Sequence, residues 1–165
     1  MFSRHDAMRY HPPMLRIILT LVFLFPISVA MADVTGNARI VDGDTIWIGR
    51  TKIRLHGIDS PETKQTCTKN GREWDCGREA TAALVHRIGT QAVTCKGDKR
   101  DRYKRLIAVC FIGSTDLNAW MVSNGWALAY RRYSKDYIDE ENVAQDNRNG
   151  IWRGEFMAPW RWRRR

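Results

Sequence analysis

A small closed β-barrel with helical flanks, an α+β fold, is the class this sequence predicts, on three observations. Short β-rich runs broken by turn residues fill 34–58. Helical spacing begins only after a polar stretch, at Ala80, Leu84 and Ile88. Two more β-rich runs, "QAVTCKG" and "RLIAVCFI", then precede a helical end.

Each element follows from its residues. "NARIV" leads into Asp42-Gly43, a strong hairpin signal, then "TIWI", Gly49-Arg50 and "TKIRLHGI". Alternation puts Ile53 and Leu55 on the core face and Arg54 on the other. "SPETKQTCTKNGREWDCG" reads as a polar loop, and "REATAALVHRI" as a helix closed by Gly89. The two later strands are joined by the charged "DKRDRYK". A short helix over "TDLNAWMVSNG", capped by Thr115, and a last one over "DYIDEENVAQDNRN" complete the chain, about three helices in all. Five strands, with a helix after the third, make the OB-fold arrangement.

Residues 1–32 stand apart. Arg4, Arg9 and Arg16 precede an apolar run too short to span a membrane comfortably, and the stretch ends in Ala30-Met31-Ala32, the order of a signal peptide. Export is therefore expected, to a periplasm or the exterior, leaving one domain at 33–165. The formal net charge of +9 favours polyanions such as nucleic acid, anionic lipid or acidic polysaccharide, without selecting among them. All four cysteines lie beyond the leader, and their spacing lacks the close pairs of a zinc site, so disulfides are expected. Four cysteines allow three connectivities. Cys95 and Cys110 fall on consecutive antiparallel strands where they can face one another, which leaves Cys67 to close a loop with Cys76.

In this basic chain "IVDGDTIWIGRTKIRLHGIDSPET" gathers Asp42, Asp44, Asp59 and Glu62. Pairing of the second and third strands brings these acids together, with Arg54 beside them. Carboxylates that repel need a reason to be close, and a hard cation held through oxygen supplies one.

"VDGDT", "IRLHGIDSPET", "DRYKR" and "LNAWMVSNGWA" resemble the staphylococcal nuclease (thermonuclease-like) family over roughly residues 37–151. That resemblance implies a five-stranded OB-fold nuclease using Ca²⁺ to cut DNA and RNA, leaving 3′-phosphate and 5′-hydroxyl ends. It implies that Asp44, Asp59 and the Ser60 carbonyl hold the metal, with Asp42 and Thr45 around them. Glu62 matches the glutamate that orients or deprotonates water, Arg54 and Arg105 the two phosphate-holding arginines. Tyr103 matches a tyrosine near the phosphate, and Arg131 and Tyr133 fall where a pair of base-stacking aromatics stands. Two departures are Lys104, where the family often has Gly before the second arginine, and Arg131 in place of an aromatic.

No stable protein partner is implied, and a monomer is expected. The alternatives are a noncatalytic OB module binding single strands, or an envelope- or exopolysaccharide-associated thermonuclease-like protein. Trp47, Trp120 and Trp126 read as core residues. The basic tail 159–165, "PWRWRRR", is expected to touch only distant nucleic-acid backbone or a membrane surface, or to be solvated.

Overall fold

Alternating apolar residues and tight turns build the barrel, seen in a computed structural model that describes residues 33–165. The leader expected over 1–32 lies outside the described residues. Strands β1 (Val34–Asp42), β2 (Thr45–Ile48) and β3 (Thr51–Leu55) form an antiparallel meander with Thr45 opposite Arg54 and Trp47 opposite Lys52. Ile46, Ile48, Ile53 and Leu55 point inward, none more than 5% exposed, each contributing about 1.5–3 kcal/mol by burial.

The short β4 (Ile58–Asp59) carries the chain out of the meander. Next come β5 (Cys67–Lys69) and β6 (Arg72–Trp74), a hairpin where a loop was expected. Its turn is Asn70-Gly71, both in the left-handed region at φ 51° and 73°, the geometry that Asn-Gly favours. Helix α1 (Cys76–Ile88) buries Ala80, Leu84 and Ile88, the last two within the barrel core.

Strands β7 (Ala92–Arg100) and β8 (Leu106–Ile112) are antiparallel, β7 pairs with β1, and β8 runs parallel to β3. This last pairing closes the five-stranded OB barrel in the order β3-β2-β1-β7-β8. Cys95 lies opposite Cys110 in the register. The two are bridged, as are Cys67 and Cys76, with Cα atoms 4.0 and 5.6 Å apart.

The short β9 (Thr115–Asp116) precedes α2 (Leu117–Ser123). Thr115 belongs to this strand, and the cap is Asp116, whose carboxylate accepts from the Asn118 and Ala119 amides. An aspartate carries the charge that suits a helix N-terminus, and it stands one residue closer to the helix. β10 (Leu128–Ala129) pairs with β4, then α3 (Ile138–Asp146), a 3₁₀ turn at Gly150–Arg153 and the four-residue α4 (Pro159–Trp162) follow. Three longer helices match the expectation, and α4 adds a turn to the tail. No helix among the described residues is long and apolar enough to cross a membrane.

Beside the main core lies a second apolar cluster of Cys67, Cys76, Leu128 and Ile151, with Trp74, Trp152, Phe156, Ala158 and Trp160 packed on it. It anchors the C-terminal segment to the disulfide-closed hairpin. Trp47 departs from its expected core position. It is half-buried on the outer face of β2, with the Arg39 guanidinium 5.5 Å and the Lys52 ammonium 5.9 Å from its ring centre. Period-two alternation beside inward Ile46 and Ile48 requires that outcome.

Candidate active site

The acids converge because three local structures meet. Asp44 sits in the tight turn between β1 and β2, and the Thr45–Arg54 register places that turn beside the end of β3. The Leu55 amide donates to the Asp44 carbonyl at 2.8 Å, and the Ser60 amide to Asp44 Oδ2 at 2.8 Å. Pairing of Asp59 with Leu128 fixes the other aspartate from its far side. The Ser60 hydroxyl donates to the Trp126 carbonyl. Gly77, at the start of α1, has no Cβ because one would collide with the Glu62 carbonyl oxygen. Helix α1 therefore packs directly on the backbone that carries Glu62.

Asp44 and Asp59 are 7% and 0% exposed, and buried carboxylates demand compensation. Arg54 provides much of it. Its Nη1 pairs with Asp44 Oδ1 and its Nη2 lies 2.7 Å from Asp59 Oδ1, one planar fork spanning two acids. Burial opposes the Arg54 charge, but Asp44 and Asp59 outweigh it and raise its pKa further. Burial and then the Asp44 charge push the Asp42 carboxyl up to about 6, although Asp42 also accepts the Asp44 amide at 3.0 Å. Burial raises the Asp59 pKa too, against the pull of its hydrogen bonds from Arg163.

Arg105 arrives from the β7–β8 connection. Asp101 organises that turn: it accepts the Tyr103 and Arg105 amides at 2.9 and 3.0 Å and the Arg105 Nε–H at 2.7 Å. These bonds hold the Asp101 pKa below the usual carboxylate range despite the opposing effect of burial. Lys104, the residue expected to depart from a glycine before the second arginine, adopts φ 64°, and Arg105 still reaches Thr45 Oγ1, at 3.5 Å. Thr45 in turn donates to Asp44 at 3.1 Å, so Arg105 joins the same network.

The expected substrate contacts divide. Tyr103 and Tyr133 are 63% and 70% exposed, with Tyr103 5.4 Å from the Arg105 guanidinium. Arg131 is instead paired with the buried Glu141, which also accepts the Ala129 amide. That ion pair ties Arg131 to α3 and leaves its side chain half exposed. His56 contacts Asp136 beside the site.

The tail departs most from expectation. Arg163 Nη1 and Nη2 donate to the two Asp59 oxygens at 3.1 and 2.8 Å, and Nη1 donates to Glu62 Oε1 at 2.6 Å. Burial works against its charge, yet Asp59 and Glu62 raise its pKa well above the ordinary arginine value. Arg161, Arg164 and Arg165 stay exposed. Asp101 and Arg163 are the two site residues that sequence reasoning missed. An acid four residues before Arg105 was the available signal for the first, and nothing local marks Arg163 among five neighbouring arginines and tryptophans.

Among the described residues no group of three or more His, Cys, Asp or Glu side chains is disposed around one metal position. The donor chemistry still fits a hard cation. Asp44 and Asp59 offer buried anionic oxygens, and a cationic group, the Arg163 guanidinium, already bridges Asp59 and Glu62.

Carboxylates and planar guanidiniums gathered at one end of an OB barrel define a protein built to act on phosphodiesters. The model of the family described as "Staphylococcal nuclease homologue" matches residues 52–154, well over half of the chain, and the chain belongs to that family. It is 32% identical over 161 residues to an uncharacterized endonuclease of Escherichia coli O157:H7, covering 92% of this chain and 99% of that one. It is 34% identical over 169 residues to the micrococcal nuclease of Shigella flexneri, covering 91% and 92%. A succinoglycan biosynthesis protein, ExoI of Rhizobium meliloti (strain 1021), is 33% identical over 130 residues, 76% of this chain and 68% of the relative. The protein is thus a nuclease, a phosphodiester hydrolase acting on nucleic acid.

Proposed function

We propose that the protein is an exported, Ca²⁺-dependent, sugar-nonspecific nuclease that cuts DNA and RNA to leave 3′-phosphate and 5′-hydroxyl ends. The single observation that carries this reading is the convergence of Asp44, Asp59 and Glu62 with the forked Arg54 and the tethered Arg105. In it Asp44, Asp59 and the Ser60 carbonyl hold the cation, and Asp42 and Thr45 support them. Bound there, Ca²⁺ supplies a Lewis acid to a phosphate oxygen and lowers the cost of generating hydroxide.

Glu62, half-exposed at the rim, orients the attacking water and takes its proton. Arg54 and Arg105 grip the equatorial oxygens of the scissile phosphate and stabilise the charge that develops there. Tyr103 lies against Arg105, where it borders the phosphate, and exposed Tyr133 is free to stack on a base. The two disulfides suit an oxidising compartment. A module that only bound single strands would have no use for buried aspartates, since they cost stability and repel the ligand.

Cleavage of single-stranded DNA and of RNA should vanish in chelator and return with added Ca²⁺. Phosphatase should remove the 3′-terminal phosphate from the products. Undiminished cleavage in chelator, or products bearing 5′-phosphates, refutes the reading.

A further inference from the structure

The C-terminal segment is docked at several points before it reaches the site. Thr68 and Glu155 exchange backbone hydrogen bonds at 2.8 and 2.7 Å. Gln65, fully buried, donates to the Met157 carbonyl at 2.6 Å. Pro159 is buried, and the Trp160 ring stacks on Tyr130, 5.3 Å between centres and 9° from parallel. One residue beyond α4, Arg163 therefore reaches the carboxylates from a built anchor. Both Asp59 oxygens receive its N–H groups, and so does Glu62 Oε1.

We propose that Arg163 is an intramolecular counter-cation that closes the catalytic site, so that divalent-cation binding and Arg163 release form one linked equilibrium. The proposal rests on the reading of Asp59 and Glu62 given above. A guanidinium and a divalent cation exclude one another at the same oxygens, by charge and by space. While Arg163 is docked, the Glu62 oxygen faces an N–H donor rather than a water. Release requires only the Arg163 side chain and the last residues to swing out, because the Trp160 anchor precedes them in the chain and can stay stacked on Tyr130. Arg163 thereby sets the cation concentration at which the nuclease turns on, and it shields a buried acid pair from standing uncompensated.

Calorimetric titration of the full chain with CaCl₂ tests this without reference to turnover. Apparent affinity is the intrinsic value scaled by the fraction of molecules with Arg163 released, so a guanidinium docked nine-tenths of the time weakens Ca²⁺ binding about tenfold. Arg163→Gln should accordingly tighten Ca²⁺ binding about tenfold. Arg163→Lys, which keeps the charge but loses the fork, should fall between the parent and Arg163→Gln. Arg165→Gln removes the same charge two residues on and should shift Kd by less than about twofold, since exposed charges at that distance are largely screened. An Arg163→Gln Kd equal to that of the parent overturns the proposal, as does an equal shift in Arg165→Gln. If neither the parent nor Arg163→Gln binds Ca²⁺, the metal assignment is refuted instead, which keeps the two failures apart.

Discussion

Arg54→Lys separates geometry from charge at the heart of the site. In the parent one guanidinium spans Asp44 and Asp59, with its Nη2 2.7 Å from an aspartate that is 0% exposed. An ammonium carries the same charge on a single nitrogen and lacks the planar fork that reaches both acids at once. It forfeits one charge-assisted hydrogen bond to a buried acceptor, about 1.5–3 kcal/mol. Arg163 still covers Asp59, which places the loss toward the lower end of that range. Denaturant unfolding in chelator, with disulfides intact, reads this directly. Turnover should fall by about 10²–10³, the cost of losing one oriented donor to developing charge. KM should move less than kcat, and the salt dependence of strand binding should hardly change, because the charge is kept. An Arg54→Lys enzyme within about threefold of parental kcat would refute the claim that the fork acts on the transition state.

Other consequences follow from the same geometry. Asp101→Asn should release the Arg105 Nε–H and lower turnover about tenfold or more, the worth of a misplaced charged donor, while Ca²⁺ affinity by calorimetry stays put. Lys104→Gly relieves a left-handed non-glycine residue, and the melting temperature should rise by the equivalent of up to about 1 kcal/mol, since Gly also loosens the unfolded chain. Asp42 is raised from 3.8 to about 6 in the folded protein, so folding favours its protonated form. Its contribution is complete below about pH 4 and is lost as pH rises through about 6. Unfolding titrations in chelator should therefore show Asp42→Asn gaining on the parent between those pH values. An opposite trend would contradict the burial argument.

Strand alternation made the barrel legible. Inward Ile46, Ile53 and Leu55 dictate that Arg54 points outward, and the Asp42-Gly43 and Gly49-Arg50 turns fix the register that brings the acids together. The same register, carried to β7 and β8, puts Cys95 opposite Cys110. What escaped prediction depends on contacts distant in sequence. Glu141 on α3 holds Arg131 through an ion pair, 10 residues away along the chain, a partner that nothing near Arg131 announces. Arg163 meets Asp59 across 104 residues. Docking of the whole C-terminal segment, at Glu155, Met157 and Trp160, distinguishes it from its arginine neighbours. The hairpin at Asn70-Gly71 was hidden by the polar character of its strands, although its turn dipeptide is a strong signal.

In the proposed mechanism labour divides among the acids: Asp44 and Asp59 would hold the cation, and Glu62 would handle the water. The most direct test is the single-turnover rate of Glu62→Gln at saturating Ca²⁺, measured together with its calorimetric Ca²⁺ affinity. The rate should fall by about 10²–10⁴, as for loss of a general base. Ca²⁺ affinity should be retained, or tightened because Arg163 loses one of its acceptors. Loss of Ca²⁺ binding as severe as in Asp44→Asn, or a rate equal to that of the parent, would contradict the division.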